Sequence, residues 1–352
     1  MNQTLVYLAL QNVFDSPFRA GVPRLFIEQC NFGRFFNSFA HGVQNVRVYN
    51  SRFYCFLNSG IVVSGASRVT ASDTECNVRE SSFINMTTTV SGSAVYMTNC
   101  IGTVDHCYFE NCVATKQGGA VYHSGNTLNM FGNRYYKCNA VQTDNNAGRC
   151  FISISGARFI NCSQMFRSMP DNGGDSTFSL VTGTAQIQSL NITQCFGSLG
   201  AIGGEIFNVD YGSSYSYTMI NGGLDYCILY TYLKPFNYTN FVILGVAYSS
   251  DRLVYLPDGA LYMNIYNSVI WNCTKAALTY TQAAKVFFFS TISNYNYKSP
   301  ITVVSVFPGI PVQVDECLIV ASFSIPIVPT VHPGQIPHSN LLWIYLSFIV
   351  FY

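Results

Sequence analysis

The most concentrated group of side chains that could perform chemistry lies around the loop M-P-D-N-G-G-D-S, where Asp171 and Asp175 follow Arg167. Two carboxylates at a suitable separation can hydrolyse a glycosidic bond, and calcium-binding aspartates beside a basic residue can serve a polysaccharide lyase. A Gly-rich loop is also typical of a surface insertion, and we favour that interpretation here. Asp144 and Arg149, in T-D-N-N-A-G-R, receive the same interpretation. We therefore predict no catalytic residue.

Two histidines lie close to cysteines and are candidate metal ligands. His106 and Cys107 stand in V-D-H-C, Cys112 follows, and His123 stands in V-Y-H-S. Adjacent residues on a strand point to opposite faces, so His106 and Cys107 are poorly placed to bind one ion. The sequence also has no tight C-x-x-C pair of the kind that structural zinc sites use. We predict no metal or other cofactor, and we expect both histidines to be solvated on an outer face.

The thirteen cysteines could include a nucleophile, but several of them recur at one position of a repeat. These recurring residues are Cys112, Cys138, Cys162, Cys195 and Cys273. A catalytic residue occurs once, whereas a residue in a packing column recurs, and small buried cysteines fill such columns well. In an oxidising compartment, neighbouring units could also bring two of them within disulfide reach.

The composition favours strands and turns and excludes a charge-driven partner. Of the 352 residues, 49% are hydrophobic and only 10% are charged, and the formal net charge is +1. Such a balance gives no electrostatic basis for binding nucleic acid. Solubility must depend on Asn, Ser, Thr, Gly and Tyr, which are residues of strands and turns rather than of helices.

An internal repeat runs through the chain. One unit reads V-D-H-C-Y-F-E-N-C from Val104 to Cys112 and continues to A-V-Y at Tyr122. The preceding unit reads V-R-E-S-S-F-I-N-M from Val78 and reaches A-V-Y at Tyr96. Aromatic or aliphatic anchors of the same kind, spaced 26, 26, 24 and 33 residues apart at first, are Phe83, Phe109, Tyr135, Phe159, Ile192 and, further on, Ile270.

Short alternating strands separated by Gly, Asn or Ser bury one face only when the next unit stacks on them. We therefore predict an all-β fold, a right-handed parallel β-helix of roughly 11–13 irregular coils over residues 1–325. The anchors would stack inside, and the Asn and Cys that follow them would form ladders at a corner. The predicted ladder residues are Phe83, Phe109, Phe159, Asn85, Asn111, Asn161, Cys112, Cys138, Cys162, Cys195 and Cys273.

The short motifs F-I-N, F-E-N and F-I-N-C alternate with S-G-S-A, G-G-A and G-G-E over residues 78–207. This region resembles the polymorphic outer membrane protein repeats of chlamydiae and similar surface proteins of trichomonads. The resemblance implies a right-handed β-helix, of the pectin lyase-like fold, that is displayed on the cell surface and takes part in adhesion.

The two ends of the sequence differ. The apolar run from Leu5 to Leu10 is either the first strand of the stack, which we favour, or a sign of a longer gene. Residues 326–340 contain four prolines and are expected to be a linker. Residues 341–352 are uncharged and too short to span a bilayer, which takes about 20 helical residues. They could be a truncated membrane anchor, a lipid-anchor tail or a final buried strand, and we favour membrane attachment.

These features lead to an expected function and location. We expect a non-enzymatic protein that is secreted or exposed on the cell surface, where it acts as an adhesin-like or scaffold module for an unknown protein or glycan. The alternative is a diverged polysaccharide lyase or glycoside hydrolase on the same fold. An outward strip formed by Tyr211, Tyr215 and Tyr217 would suit binding, although these tyrosines could equally pack on the stack. Among six N-x-S/T sequons, the candidate glycosylation sites are Asn85, Asn191 and Asn237.

Overall fold

The computed structural model describes residues 2–18, 22–64 and 74–141, and beyond them individual strands as far as Phe307. The predicted fold class is confirmed, because the chain is all-β and its parallel strands stack as a β-helix, with no helix among the described residues. About five turns of this solenoid lie in residues 2–141. The predicted linker 326–340 and the apolar segment 341–352 fall outside the described residues.

The first coils contain short strands that are joined by tight turns. In chain order the strands to residue 141 are β1 (Gln3–Val6), β2 (Ala9–Val13), β3 (Arg24–Glu28), β4 (Asn31–Phe35), β5 (Ala40–Val43), β6 (Asn45–Tyr49), β7 (Arg52–Phe56), β8 (Ile61–Ser64), β9 (Glu75–Arg79), β10 (Ser82–Ile84), β11 (Thr87–Thr88), β12 (Val95–Thr98), β13 (Ile101–Asp105), β14 (Tyr108–Glu110), β15 (Val113–Ala114), β16 (Val121–Ser124), β17 (Thr127–Phe131), β18 (Arg134–Tyr136) and β19 (Asn139–Ala140).

The later strands continue the same order. They are β20 (Phe151–Ser153), β21 (Ala157–Asn161), β22 (Gln164–Phe166), β23 (Phe178–Thr193), β24 (Phe196–Gly197), β25 (Glu205–Val209), β26 (Ser214–Ile220), β27 (Gly223–Leu224), β28 (Leu229–Tyr232), β29 (Phe236–Thr239), β30 (Val242–Leu244), β31 (Ala247–Tyr248), β32 (Arg252–Leu256), β33 (Tyr262–Tyr266), β34 (Val269–Trp271), β35 (Ala277–Thr281), β36 (Lys285–Phe289), β37 (Thr291–Ser293), β38 (Thr302–Val303) and β39 (Val306–Phe307).

Each coil contributes to three faces of the solenoid. Face 1 stacks β1, β3, β6, β9, β13 and β17, and face 2 stacks β2, β4, β7, β10, β14 and β18. Face 3 stacks β5, β8, β12, β16 and β20. Within each face the strands pair in parallel with their equivalents in neighbouring coils, and such pairing extends as far as β38 and β39. The short strands β11, β15 and β19 form a separate parallel ladder.

The interior is filled by columns of apolar side chains that project from alternate positions of each strand. On face 1, for example, Val48, Val78, Val104 and Met130 occupy successive coils and are fully or almost fully buried. Strands of this length are not stable alone, so the stack depends on burying these columns and pairing every backbone with the next coil. This requirement fixes the register, because a shift of one residue would turn each column outward.

Two corners in each coil use a residue in the left-handed region. The first corner lies between faces 1 and 2, and the second lies at the carboxyl end of the face 2 strands. Their positive-φ residues, with φ between 44° and 60°, are Tyr7, Gln29, Asn50, Glu80, His106 and Gly132 at the first corner and Asn12, Arg34, Cys55, Asn85, Asn111 and Lys137 at the second. One such residue reverses the pleat, so the chain can turn while the next side chain still points inward.

Candidate functional site

The predicted internal aromatic stack is present on face 2. Phe83 pairs with Phe109, Phe109 pairs with Tyr135, and all three side chains are fully buried. The ring centroids of Phe83 and Phe109 are 5.3 Å apart with an interplanar angle of 9°, and Phe109 and Tyr135 are 4.9 Å apart at 8°. Phe53 extends the stack by one coil, with its centroid 4.9 Å from that of Phe83. These residues hold the solenoid together and cannot contact a partner.

The assignment of Phe159 to this stack is wrong. Phe159 pairs with Asn129 on face 1, and Met165 is the residue that pairs with Tyr135. The neighbouring Ile160 is only 1% exposed, so Phe159 occupies an outward register position. The same register places Asn161 opposite Phe131 at the end of face 1, rather than at the second corner with the other predicted Asn residues.

The later anchors return to the predicted column. Met165 pairs with Ile192, and Ile243 pairs with Ile270, so both predicted isoleucines continue the line of Phe83 and Phe109. Cys162, Cys195 and Cys273, which follow these anchors in sequence, lie outside the described residues.

The two Asn residues after Phe83 and Phe109 meet at the second corner. Asn111 Nδ2 donates a hydrogen bond of 2.9 Å to Asn85 Oδ1, and both residues have positive φ, at 49° and 54°. The predicted ladder therefore links side chain to side chain on the surface. Asn tolerates this backbone region better than most residues, which explains its repeated use here.

Cys112 and Cys138 follow the corner and are fully buried. The Cys112 thiol donates to the carbonyl of Phe83 at 3.5 Å, and the Cys138 thiol donates to that of Phe109 at 3.6 Å. Burial, together with a hydrogen bond to the Cys112 thiol, raises the pKa of Cys138. A thiol that resists ionisation is a poor nucleophile. Both cysteines therefore fit a structural role.

A second polar ladder lies inside the first corner and was not predicted from the sequence. The residue after each positive-φ position is buried, and the column contains Leu8, Cys30, Ser51, Ser81, Cys107 and Asn133. The backbone N–H of Ser51 donates to Ser81 Oγ at 3.1 Å, and that of Cys107 donates to Asn133 Oδ1 at 3.0 Å. These side chains satisfy buried backbone groups at the turn, where an unpaired group would be costly.

The cysteines of this column behave like its serines. The Cys107 thiol donates to the carbonyl of Asp105 at 3.3 Å, as the Ser81 hydroxyl donates to that of Arg79 at 2.7 Å. Burial raises the pKa of Cys107 to about 12 and that of Cys30 to about 11. Within residues 2–141 all seven cysteines are free thiols, and only Cys55 is exposed.

The two candidate metal-binding histidines lie in different environments, one exposed and the other buried. His106 is exposed at the first corner and pairs with the Asp105 carboxylate through Nδ1. His123 contradicts the expected outer-face position, because it is fully buried on face 3. Along β16 it follows Val121 and Tyr122 and precedes Ser124. The alternation of β16 turns Val121 and His123 inward, and His123 Nε2 lies 3.3 Å from the Cys100 carbonyl oxygen.

The remaining sequence candidates for chemistry fall elsewhere. Arg167, Asp171 and Asp175, together with Asp144 and Arg149, lie outside the described residues. Within the described part of the chain, no three His, Cys, Asp or Glu side chains are arranged to hold a metal ion. In that same part of the chain, no helix is long and apolar enough to cross a membrane.

The outer side of face 1 carries charged side chains that pair across coils. Arg47 lies 3.4 Å from Glu75, and Arg79 lies 3.9 Å from Asp105. A hydrogen bond to Glu80 raises the pKa of the exposed Tyr49 hydroxyl. Exposed pairs of this kind contribute at most about 1 kcal/mol each. Their charges neutralise one another along the sheet rather than converging on one point.

Face 3 has the opposite character. Its strands β5, β8, β12 and β16 read AHGV, IVVS, VYMT and VYHS and contain no Asp, Glu, Lys or Arg. Tyr96 and Tyr122 project outward from neighbouring coils and are half-buried, with ring centroids 4.8 Å apart and an interplanar angle of 6°. The A-V-Y that recurs in the sequence was the available signal for this pair.

The tyrosine strip expected from the sequence is placed differently. Tyr215 pairs with Ile187, which is fully buried, so Tyr215 takes an inward register position. Tyr217 is in the same strand, whereas Tyr211 lies outside the described residues. Of the candidate glycosylation sites, Asn85 is exposed at its corner, whereas Asn191 and Asn237 lie within β23 and β29.

No protein-family model matches the chain, and no curated protein matches it. The candidate functional surface is therefore defined by its chemistry alone, as the uncharged outer side of face 3 around Tyr96 and Tyr122.

Proposed function

We propose that the chain is a non-enzymatic, surface-exposed β-helix that works as an adhesin-like or scaffold module, related to the polymorphic outer membrane protein repeats that residues 78–207 resemble. The observation that carries this proposal is the outer side of face 3, where Tyr96 and Tyr122 stand side by side on strands without charged residues. A flat sheet that repeats amphipathic aromatic side chains suits weak recognition at several points.

The other reactive groups in the described coils support a binding role over catalysis. The corner cysteines are buried and hydrogen-bonded to backbone carbonyls, and the carboxylates of face 1 pair with arginines of neighbouring coils. An acid–base pair in a hydrolase would instead need two carboxylates that share a substrate site. The described side chains therefore serve the stability of the fold and contact with a partner.

The test has two parts. An antibody against the chain should stain intact cells that express it as strongly as permeabilised cells, and beads coated with the purified chain should attach to a cell layer several-fold more than beads coated with albumin. Staining that requires permeabilisation, or equal attachment of both kinds of bead, would refute the proposal. Release of reducing ends or unsaturated sugars from polysaccharides by the purified chain would replace it with the enzymatic alternative.

A further inference from the structure

The outer surface of face 3 presents two regular rows of polar side chains. Tyr96 pairs with Tyr122 in the next coil, and two residues further along the same strands Thr98 pairs with Ser124. All four side chains are partly exposed. Successive coils are about 4.8 Å apart, so hydroxyl groups recur at this interval along the solenoid axis.

Tyrosine recurs at the register position of Tyr96 and Tyr122 in later coils, after an interruption of three coils. After Tyr122 the same position is taken in turn by Ile152, Ser179 and Glu205, and then by Tyr230, Tyr255 and Tyr280. Tyrosine thus returns at this register position in three successive coils beyond the described side chains.

We infer that the outer side of face 3, centred on Tyr96 and Tyr122, binds a neutral glycan chain that lies along the solenoid axis. This inference rests on the proposed binding function and specifies its site and its partner class. A neutral, hydroxyl-rich surface offers no attraction for a charged polymer. A glycan chain has both apolar C–H faces and hydroxyl groups. The C–H groups can pack against the aromatic rings of tyrosine side chains, and the hydroxyl groups can form hydrogen bonds with the tyrosine hydroxyls.

The distribution of other side chains favours a glycan over a folded protein partner. Stable protein interfaces centre on well-packed apolar or aromatic anchors. Phe14, Phe36 and Leu57 are exposed beside the second corner of the first coils, and Val90 is exposed in the turn before β12. Among the described residues, no exposed large apolar side chain lies within β5, β8, β12 or β16. Burial, together with the neighbouring Tyr96, raises the pKa of the Tyr122 hydroxyl.

The repeat itself matches a polymer better than a single small molecule. An extended pyranose chain advances by about the same distance per sugar as the solenoid advances per coil. Each weak contact can therefore be repeated at the next coil, which raises the overall affinity without requiring a deep cavity.

The inference can be tested by native affinity electrophoresis of the whole chain. The gels would contain laminarin, hydroxyethyl cellulose or galactomannan, which are neutral, and polygalacturonate as the anionic control. We expect at least one neutral polysaccharide to retard the wild-type chain and polygalacturonate to leave its mobility unchanged. The double variant Tyr96→Ala/Tyr122→Ala should weaken the neutral interaction at least tenfold. The variant Tyr49→Ala, which removes an exposed tyrosine from face 1, should retain it.

Folding and binding can be separated with Tyr96→Phe/Tyr122→Phe, which keeps the ring stack and removes only the hydroxyl groups. This variant should melt like the wild type and bind less tightly. Absence of retardation by all three neutral polysaccharides would overturn the inference, as would equal binding by the Tyr49→Ala and Tyr96→Ala/Tyr122→Ala variants.

The bead assay distinguishes the failure of this inference from failure of the proposed function. If the Tyr96→Ala/Tyr122→Ala chain still attaches beads to cells, adhesion stands and the glycan site on face 3 is wrong. Attachment that is lost in a buffer containing soluble protein extract, but unaffected by the neutral polysaccharides, would point to a protein partner and also overturn the inference. Polysaccharide binding without any attachment to cells would leave face 3 as a glycan site and refute adhesion.

Discussion

Two aromatic stacks, one inside the solenoid and one outside, have nearly the same geometry. The rings of Phe83 and Phe109 are 5.3 Å apart at 9°, and those of Tyr96 and Tyr122 are 4.8 Å apart at 6°. Both pairs come from the same two coils and are separated by 26 residues in sequence. The first pair is fully buried, whereas the second is half-buried and carries its hydroxyl groups toward solvent.

The comparison shows that the coil repeat sets the spacing between aromatic rings in the same way on both faces. Any two aromatic residues at equivalent positions of adjacent coils are held about 4.8 Å apart by backbone pairing. Burial decides what the contact does. Inside, the rings replace water and stabilise the fold. Outside, the same contact leaves hydroxyl groups and ring edges available to a partner.

The largest effect should come from breaking the inner stack. Phe109→Ala removes a fully buried ring between Phe83 and Tyr135 and leaves a cavity, so the free energy of unfolding should fall by about 3–5 kcal/mol. Equilibrium denaturation in urea, followed by far-UV circular dichroism, would measure the change. Phe109→Leu, which keeps much of the volume, should lose clearly less. A loss below about 1 kcal/mol for the alanine variant would mean that the column is not packed as described.

A second test concerns the buried polar ladder at the first corner. Ser81→Ala removes the acceptor of the Ser51 N–H and should cost about 1–3 kcal/mol, because that buried group is left without a partner. Ser81→Cys should remain close to wild type, since Cys30 and Cys107 already serve at equivalent positions. Thermal melts of the three proteins would compare them. Equal destabilisation by Ala and Cys would argue against the hydrogen-bonding role of the column.

The inner stack was predictable because its signal is periodic. Phe83 and Phe109 are followed by the same small residues at the same distance, and each coil there has the same length. Such agreement predicts both the β-helix and the buried column. The outer stack of Tyr96 and Tyr122 was harder to predict, since the A-V-Y motif does not reveal which of its residues is exposed.

The three errors have different physical causes. The F-I-N-C motif at Phe159 resembles the face 2 motif, but pairing of β17 with β21 spans 30 residues rather than 26, so the motif falls on face 1. A local pattern carries no information on the length of the preceding turn. His123 was misplaced because a polar side chain was expected outside, whereas strand alternation turns it inward. The first-corner ladder was missed because Cys, Ser and Asn share one role there.

A smaller effect on stability is expected for the outer stack. Tyr122→Ala should lower the free energy of unfolding by about 0.5–1.5 kcal/mol, because it removes one ring contact without opening an internal cavity. Urea denaturation beside Phe109→Ala would compare the two stacks directly. If Tyr122→Ala were as destabilising as Phe109→Ala, the outer strip would be part of the core and its proposed role in recognition would lose its basis.

The smallest expected effect is a gain in the free energy of unfolding from a substitution at the second corner. Cys55 has a φ of 57° and is exposed, and its equivalent in the next coil is Asn85, which already accepts a hydrogen bond from Asn111. Cys55→Asn would place a residue that tolerates the left-handed region beside this pair and should stabilise the chain by about 0.5–1 kcal/mol. Cys55→Ala, which removes the thiol without offering an amide, should give no such gain.

Differential scanning calorimetry under reducing conditions would measure both variants, and an alanine variant at least as stable as the asparagine variant would show that the amide ladder contributes nothing. Since Cys55 lies in β7 of face 2 and not on face 3, a higher melting temperature with unchanged polysaccharide retardation would also separate the stabilising corner from the recognition face.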